Sequence, residues 1–331
     1  DVRVTGSGDD PHIEGHIDIR DGAFGVPAGG VSYTGLNTRI DLTPDLITIQ
    51  SFSIIDEEGA PLNVSGSLAV HERKVGAVNI TLDSENFEII DNELGDVGLK
   101  TAVRITGELR RPKVEGRIEI ATGRIEVDRL LALFYDPYAR ESISGVVSAE
   151  QQVQGAGSAE EATRQALERV QKGAAPAGET PGDQAAPSRG LFDAVELDLT
   201  LVIPQNLVLR GSDIRPGGPT RASVGDINIT IGGNLEIDKA PGDQVRLVGT
   251  VETIRGTYEF QGRRFDLVRG GELQFVGDDE VNPFLDITAT RMIPNVGVEA
   301  RIHITGTLRT PELELSSNPP LEESDILALI V

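Results

Sequence analysis

The chain has no cysteine. Disulfide staples, thiolate nucleophiles and thiolate metal sites are therefore excluded, while the compartment stays open, because a thiol-free chain suits the cytosol and an oxidising periplasm alike. Tryptophan is also absent, and four Tyr and nine Phe among 331 residues leave few of the large aromatic anchors that dominate protein–protein hot spots. No apolar run reaches the roughly 18 residues of a membrane-spanning helix, and no signal peptide opens the chain. Positive charge is scarce: 30 Lys and Arg against 53 Asp and Glu give a formal charge of −23. Such a chain repels phosphate backbones and anionic lipid headgroups, which argues against nucleic acid as a partner but says nothing about the apolar ends of lipids.

The first residue is Asp1, the single methionine is Met292, and the closing "DILALIV" stops inside an apolar helix start. The chain reads as an internal piece of a longer protein, and any membrane contact is expected through that parent.

What the sequence does have is aliphatic alternation. Residues of the AVILMFWYC set make up 38% of the chain, and they recur at period two between Gly, Pro, Asn and Asp. In "VELDLTLVI", Val195, Leu197, Leu199, Leu201 and Ile203 fall on one face and Glu196, Asp198 and Thr200 on the other. "DINITI" (Ile227, Ile229, Ile231) and "VEARIHI" (Val298, Ala300, Ile302, Ile304) repeat the pattern. The expected fold class is all-β, a long antiparallel hairpin array of some twenty strands with one aliphatic and one wet face.

Two spacings recur along this array. Thr5-Gly6, Thr106-Gly107 and Thr305-Gly306 are each followed, after a gap of four residues, by Pro11, Pro112 and Pro311. Gly15 to Gly22, Gly116 to Gly123 and Gly249 to Gly256 are each seven apart, and "GHIDIRDGAFGV", "GRIEIATGRIEV" and "GTVETIRGTYEF" read as strand, Gly turn, strand. A repeated supersecondary unit implies one array rather than several unlike domains.

One stretch breaks the pattern. Residues 150–190 are rich in Ala, Gly, Glu and Pro, with a predicted helix over Ala159 to Lys172 capped by Ser158 and Glu161; the rest of the stretch is predicted flexible. Before it, Leu130, Leu131, Leu133 and Phe134 suggest a short helix or packed turn stopped by Pro137. The expected organisation is a β-array over 1–149, the insertion over 150–190 and a C-terminal β domain over 191–331.

Candidates for chemistry are few. His12 and His16 are four apart, but in a strand that separates them by about 13 Å, too far for one metal. His303 falls on a polar strand face. "GSGDD" at Gly6 to Asp10 precedes a strand, so no helix N-terminus points at a phosphate. The clusters at Asp56 to Gly59 and Gly277 to Glu280 lack calcium-loop spacing and read as solvated turn carboxylates. No nucleophile elbow, Ser/His/Asp set or dinucleotide fingerprint occurs. The expectation is a protein without catalytic residues, metal or cofactor.

An aliphatic sheet face must be hidden or used. With almost no helices to cover it, the sheet closes as a sandwich or barrel, or curls into a trough that holds something apolar. The C-terminal residues carry a resemblance that bears on this choice: "VELDLTLVIPQNLVLRGSDI", "INITIGGNLEI", "LVGTVETIRGTYEFQGRRFDLVRGGELQFVG", "NPFLDITATR" and "ITGTLRTPELELSSNPPLEESDIL". From about Leu191 to Val331 the chain resembles the conserved end of the TamB family, the translocation and assembly module subunit, within the AsmA-like group of bacterial envelope proteins.

The resemblance implies an antiparallel sheet curled into an open, taco-like groove with an aliphatic lining. It implies a periplasmic location, in a parent anchored in the inner membrane of a diderm bacterium, and docking on an Omp85-type outer-membrane barrel protein, TamA-like. The implied roles are movement of phospholipid acyl chains between the membranes and help with outer-membrane protein assembly. The expected groove lining is Val195, Leu197, Leu199, Leu201, Ile203, Ile227, Ile229, Ile231, Val298, Ile302 and Ile304. Leu321, Ile326 and Leu327, in the helix start that ends the array, are the expected partner-docking residues.

Overall fold

The computed structural model describes residues 2–7, 10–71, 74–130, 191–214, 225–278 and 281–330. The helix expected over 159–172, the leucine cluster after Leu130 and the rest of the 150–190 stretch lie outside the described residues. Eight strands precede that stretch: β1 (Val2–Ser7), β2 (Asp10–Val26), β3 (Val31–Leu42), β4 (Leu46–Ile55), β5 (Pro61–His71), β6 (Lys74–Asn92), β7 (Gly95–Glu108) and β8 (Arg111–Glu126). After it come the one-turn helix α1 (Leu191–Ala194) and β9 (Glu196–Gly211), β10 (Asp226–Lys239), β11 (Arg246–Phe260), β12 (Arg263–Leu267), β13 (Glu272–Val276), β14 (Phe284–Ile293), β15 (Val298–Gly306) and β16 (Pro311–Asn318). Helix α2 (Glu323–Ile330) follows.

All sixteen strands belong to one sheet, and they follow one another across it in chain order; β13 alone sits beside the path, paired with β11 and β14. Neighbours are antiparallel, with one exception: β8 and β9 run parallel. Antiparallel partners can be joined by a tight turn, whereas a parallel pair needs a long connection, and β8 ends at Glu126 while β9 begins at Glu196. The Thr-Gly and Pro pairs mark hairpin turns as the spacing suggested, with Gly6 opposite Pro11, Gly107 opposite Pro112 and Gly306 opposite Pro311.

The seven-residue glycine pairs do something different from what their sequence suggested. Gly15 and Gly22 both lie within β2, Gly116 and Gly123 within β8, and Gly249 and Gly256 within β11. Each "strand, turn, strand" is a single long strand with an irregularity in its middle: the register shifts between Ile19 and Gly22, opposite Gly98 and Leu99, and opposite Thr230 and Ile231. A bulge adds a residue and reverses the parity of the alternation beyond it, which in sequence mimics a turn. Joining these halves is why sixteen strands, not twenty, account for the described residues.

The first glycine of each pair allows tight coiling. Gly15, Gly116 and Gly249 have φ of 135°, 142° and 139°, a region that residues with a side chain avoid. A Cβ on Gly116 would stand 2.3 Å from the Ala102 carbonyl oxygen, and one on Gly249 would stand 2.4 Å from that of Asn234. The neighbouring strand lies too close for any side chain.

At the parallel junction the bulges are stitched together. Pro204, Gln205 and Asn206 interrupt β9 where its pairing with β10 slips, and Pro204 is tolerated because a bulge needs no ladder hydrogen bond there. Asn206 Nδ2 donates to the carbonyls of Ile120 and Ala121, 2.8 and 2.7 Å away, where β8 is itself irregular. On the outer face Glu115 and Asp198 stand opposite each other across this junction, a repulsive pairing. Lys113 offsets it, its ammonium 3.3 Å from Glu115 and 3.2 Å from Asp198.

Two stability predictions follow from these contacts. Gly249→Ala should lower unfolding free energy by more than about 1 kcal/mol, because the backbone conformation and the carbonyl both reject a Cβ. Asn206→Ala, which leaves two carbonyls without their donor, should cost about 1–3 kcal/mol. Urea unfolding followed by circular dichroism checks both.

Candidate functional site: the apolar face of the sheet

Cα partners on adjacent strands project to the same side, so register tracks each face across the molecule. One row reads Ile17, Ile40, Ile49, Gly66, Ile80, Ile105, Val114, Leu197 from β2 to β9. The next reads Phe52, Val64, Leu82, Val103, Gly116, Leu199, Ile237, Leu247 from β4 to β11. Beyond the bulges the alignment persists as Ile90, Val97, Gly123, Leu207, Ile231. At the far end it continues as Leu267, Ala289, Ile302, Leu315. Side chains on this face line one continuous aliphatic groove. Ser84, a polar residue on this face, bonds the Leu99 carbonyl and the Thr101 hydroxyl.

The residues expected to line the groove fall on this face with one exception of position. Leu197, Leu199, Leu201 and Ile203 of β9 stand opposite Lys239, Ile237, Leu235 and Gly233 of β10. Ile229 and Ile231 pack with Ile203, and Ile227 lies against their cluster. Val195 precedes β9 in an irregular segment; its carbonyl accepts a hydrogen bond from buried Lys239, which also binds the Asp193 carbonyl at the end of α1. Leu207 and Leu209, just past the bulge, complete the lining. Their parity is that of Leu197, but Pro204 hid the continuation of the strand.

The two ends of the groove differ. On β2, Ile17, Ile19, Phe24 and Val26 keep 37–42% of their surface exposed, so the apolar face is open there. At the other end Ala289, Ala300 and Ile302 are at 0%. What covers them is α2, whose Ile326 and Ile330, each at 1%, belong to the same cluster as Tyr258 and Phe265. Ile304 packs beside this cluster, and Val298 is buried nearby. Of the expected docking residues, Ile326 is buried, Leu327 half-buried and Leu321 exposed.

A family model, TamB C-terminal domain, matches residues 50–331. The chain belongs to the TamB family. The match runs from β4 through α2, so most of the N-terminal half is TamB sequence as well, where the resemblance legible by eye began near Leu191. The TamB face so defined is sealed locally at a second place. Beyond the short β4–β5 turn, β3 and β6 meet: Tyr33 stacks on Phe87 with ring centroids 4.8 Å apart, and its hydroxyl donates to the Glu88 carbonyl. The tip of the β2–β3 turn reaches the same strand, with Asp91 N–H bonding the Gly29 carbonyl.

Asp56 anchors this clasp. Its carboxylate accepts from the backbone N–H groups of Ala60 and Glu88, at 2.7 and 2.9 Å, and it is 3% exposed. The expectation of a solvated turn carboxylate is corrected here: Asp56 is a buried bridge that caps two backbones. The outer face of the sheet is polar. A depression of about 590 Å³ over β6–β9 is lined by Thr81, Asp83, Arg104, Glu115, Asp198 and Thr200 together with Leu82, Ala102, Val103 and Gly116. His16 and His303 lie on this polar side, beside Asp18 at 3.4 Å and Asp286 at 2.8 Å.

Glu88 sits against the buried clasp, and its carboxyl is pushed from 4.5 up to about 7, first by burial and then by the carboxylates of Asp91, Glu58, Asp96 and Asp56. The folded chain therefore holds a proton that the unfolded chain releases. This group's contribution to stability is full below about pH 4.5 and declines as pH rises to about 7. Glu88→Gln should remove that decline, giving a melting temperature above wild type at pH 8 and a gap that closes by pH 5. Scanning calorimetry across this range checks it.

Proposed function

We propose that this region is a non-enzymatic conduit whose groove carries phospholipid acyl chains between the inner and outer membranes and supports outer-membrane protein assembly. It acts in the periplasm, within a parent anchored in the inner membrane. The observation that carries the reading is the apolar face that continues from β2 to β16, left exposed on β2. Fifteen strands in succession, at about 4.8 Å each, give the array a length on the order of 70 Å. Each CH₂ laid on the face leaves water with a gain of about 0.8 kcal/mol. The attraction has no direction, so a chain slides along the face without a deep local well. No cofactor, metal or catalytic residue is required, and the acidic outer face keeps the array soluble.

A second reading is favoured by the sheet edge. Among the described residues β16 pairs with β15 and with no further strand, so its outer edge can accept a strand from an Omp85-type barrel protein. Exposed Leu321 lies just beyond that edge. A photocrosslinker at Leu321 should then capture a barrel protein in cells.

The conduit is tested by replacing Leu82, Val103 and Leu199, half-buried neighbours in one row, with Glu. Photocrosslinking of phospholipid to groove positions should fall by at least about tenfold, since three carboxylates would have to be desolvated beside each acyl chain. Undiminished lipid capture in a folded triple variant would rule the conduit out and leave the edge-pairing scaffold.

A further inference from the structure

The apolar face is covered at its C-terminal end by a piece of the chain itself. Resting on the acyl-chain reading above, we propose that the surface beneath α2 is a further acyl-chain site, closed because α2 stands where hydrocarbon would lie. The groove side of that site is Tyr258, Phe265, Ala289, Ala300 and Ile302, on the aliphatic face: Tyr258 stands opposite Ile227 and Phe265, and Ile302 opposite Ala289. It is dry: Tyr258 is 2% exposed, and burial pushes its phenol up to about 12.

The cover differs from the wall in kind. Helix α2 has eight residues, too few to persist as an isolated helix in water, so its shape depends on lying in the groove. Ile326 and Ile330, one turn apart, enter the site, while Glu322, Glu323 and Asp325 stay in solvent. A helix takes no part in the strand ladder, so its departure leaves β14, β15 and β16 paired. A hydrogen bond from Arg263 Nε to the Ile330 carbonyl, 2.8 Å, holds its end to β12, and Ser317 Oγ accepts from the Leu321 N–H at its start. Two isoleucines present branched hydrocarbon much as an acyl tail would, and a lipid arriving along the face competes with them for one surface. The groove is thus a channel with an open first end and a self-occupied last one, and lipid leaves when α2 is displaced.

The test compares the full chain with the variant Ile326→Asp, Ile330→Asp, using a fluorescent C16 fatty acid as probe. The variant should bind about tenfold more tightly, or with one additional molecule per chain, because the competitor is gone. In the wild-type chain, amide exchange should be at least about a hundredfold faster in α2 than in β14 and β15, reporting release without unfolding of the sheet. If the double variant fails to fold, Arg263→Ala, which loosens the helix without adding charge, should shift affinity in the same direction. Wild-type binding with no gain in any variant, or α2 amides exchanging only with global unfolding, overturns the inference while sparing the conduit. Binding by neither chain overturns both.

Discussion

Everything in this molecule depends on keeping strand alternation in step across one sheet. A slip of one residue at any pairing would send the aliphatic side chains of every later strand into solvent and its acids into the groove. The long strands need to bend, and a bulge of one added residue, as in β8 and β11, also reverses parity. The conflict is resolved by placing the irregularities at one level in adjacent strands, so that β8, β9, β10 and β11 shift together. Ile120 and Gly123, Ile203 and Leu207, and Thr253 and Gly256 flank that line and still face the same way. Glycine with positive φ lets neighbouring backbones approach, and Asn206 ties the one place where strands run parallel.

From this constraint the groove's character follows. Its specificity resides in a long surface of one chemistry, not in a constellation of side chains. Attraction by area is weak per atom and indifferent to position, which suits the proposed acyl-chain cargo, whereas polar recognition would arrest it. Charged residues line the outer face, where Lys113 between Glu115 and Asp198 settles a local repulsion, while Lys239, opposite Leu197 on the groove side, is buried against the carbonyls of Asp193 and Val195. The C-terminal end of the face is buried and β2 is open, so exposure differs along its length.

Two devices modify that uniformity, and both come from residues distant in sequence. The clasp of Tyr33, Phe87, Asp56 and Glu88 draws β3 and β6 together past a short turn. Helix α2 folds back over the opposite end of the face. One brings a carboxyl with an elevated proton affinity into the wall; the other lays the chain's own isoleucines on the aliphatic face at its C-terminal end.

The sequence by itself determined the two-faced strands and their turns. Alternation in "VELDLTLVI" assigns Leu197, Leu199, Leu201 and Ile203 to one side whatever the partners are, and Thr-Gly with Pro closes three of the hairpins locally. It did not reveal that Ile17 and Phe24 share a strand, because a bulge and a turn leave the same mark on a periodic pattern. Nor could it reveal the burial of Asp56 or the seating of Ile326 against Ile302. Only tertiary structure decided those, because a side chain's exposure depends on which distant segment packs over it, and local alternation holds no record of that.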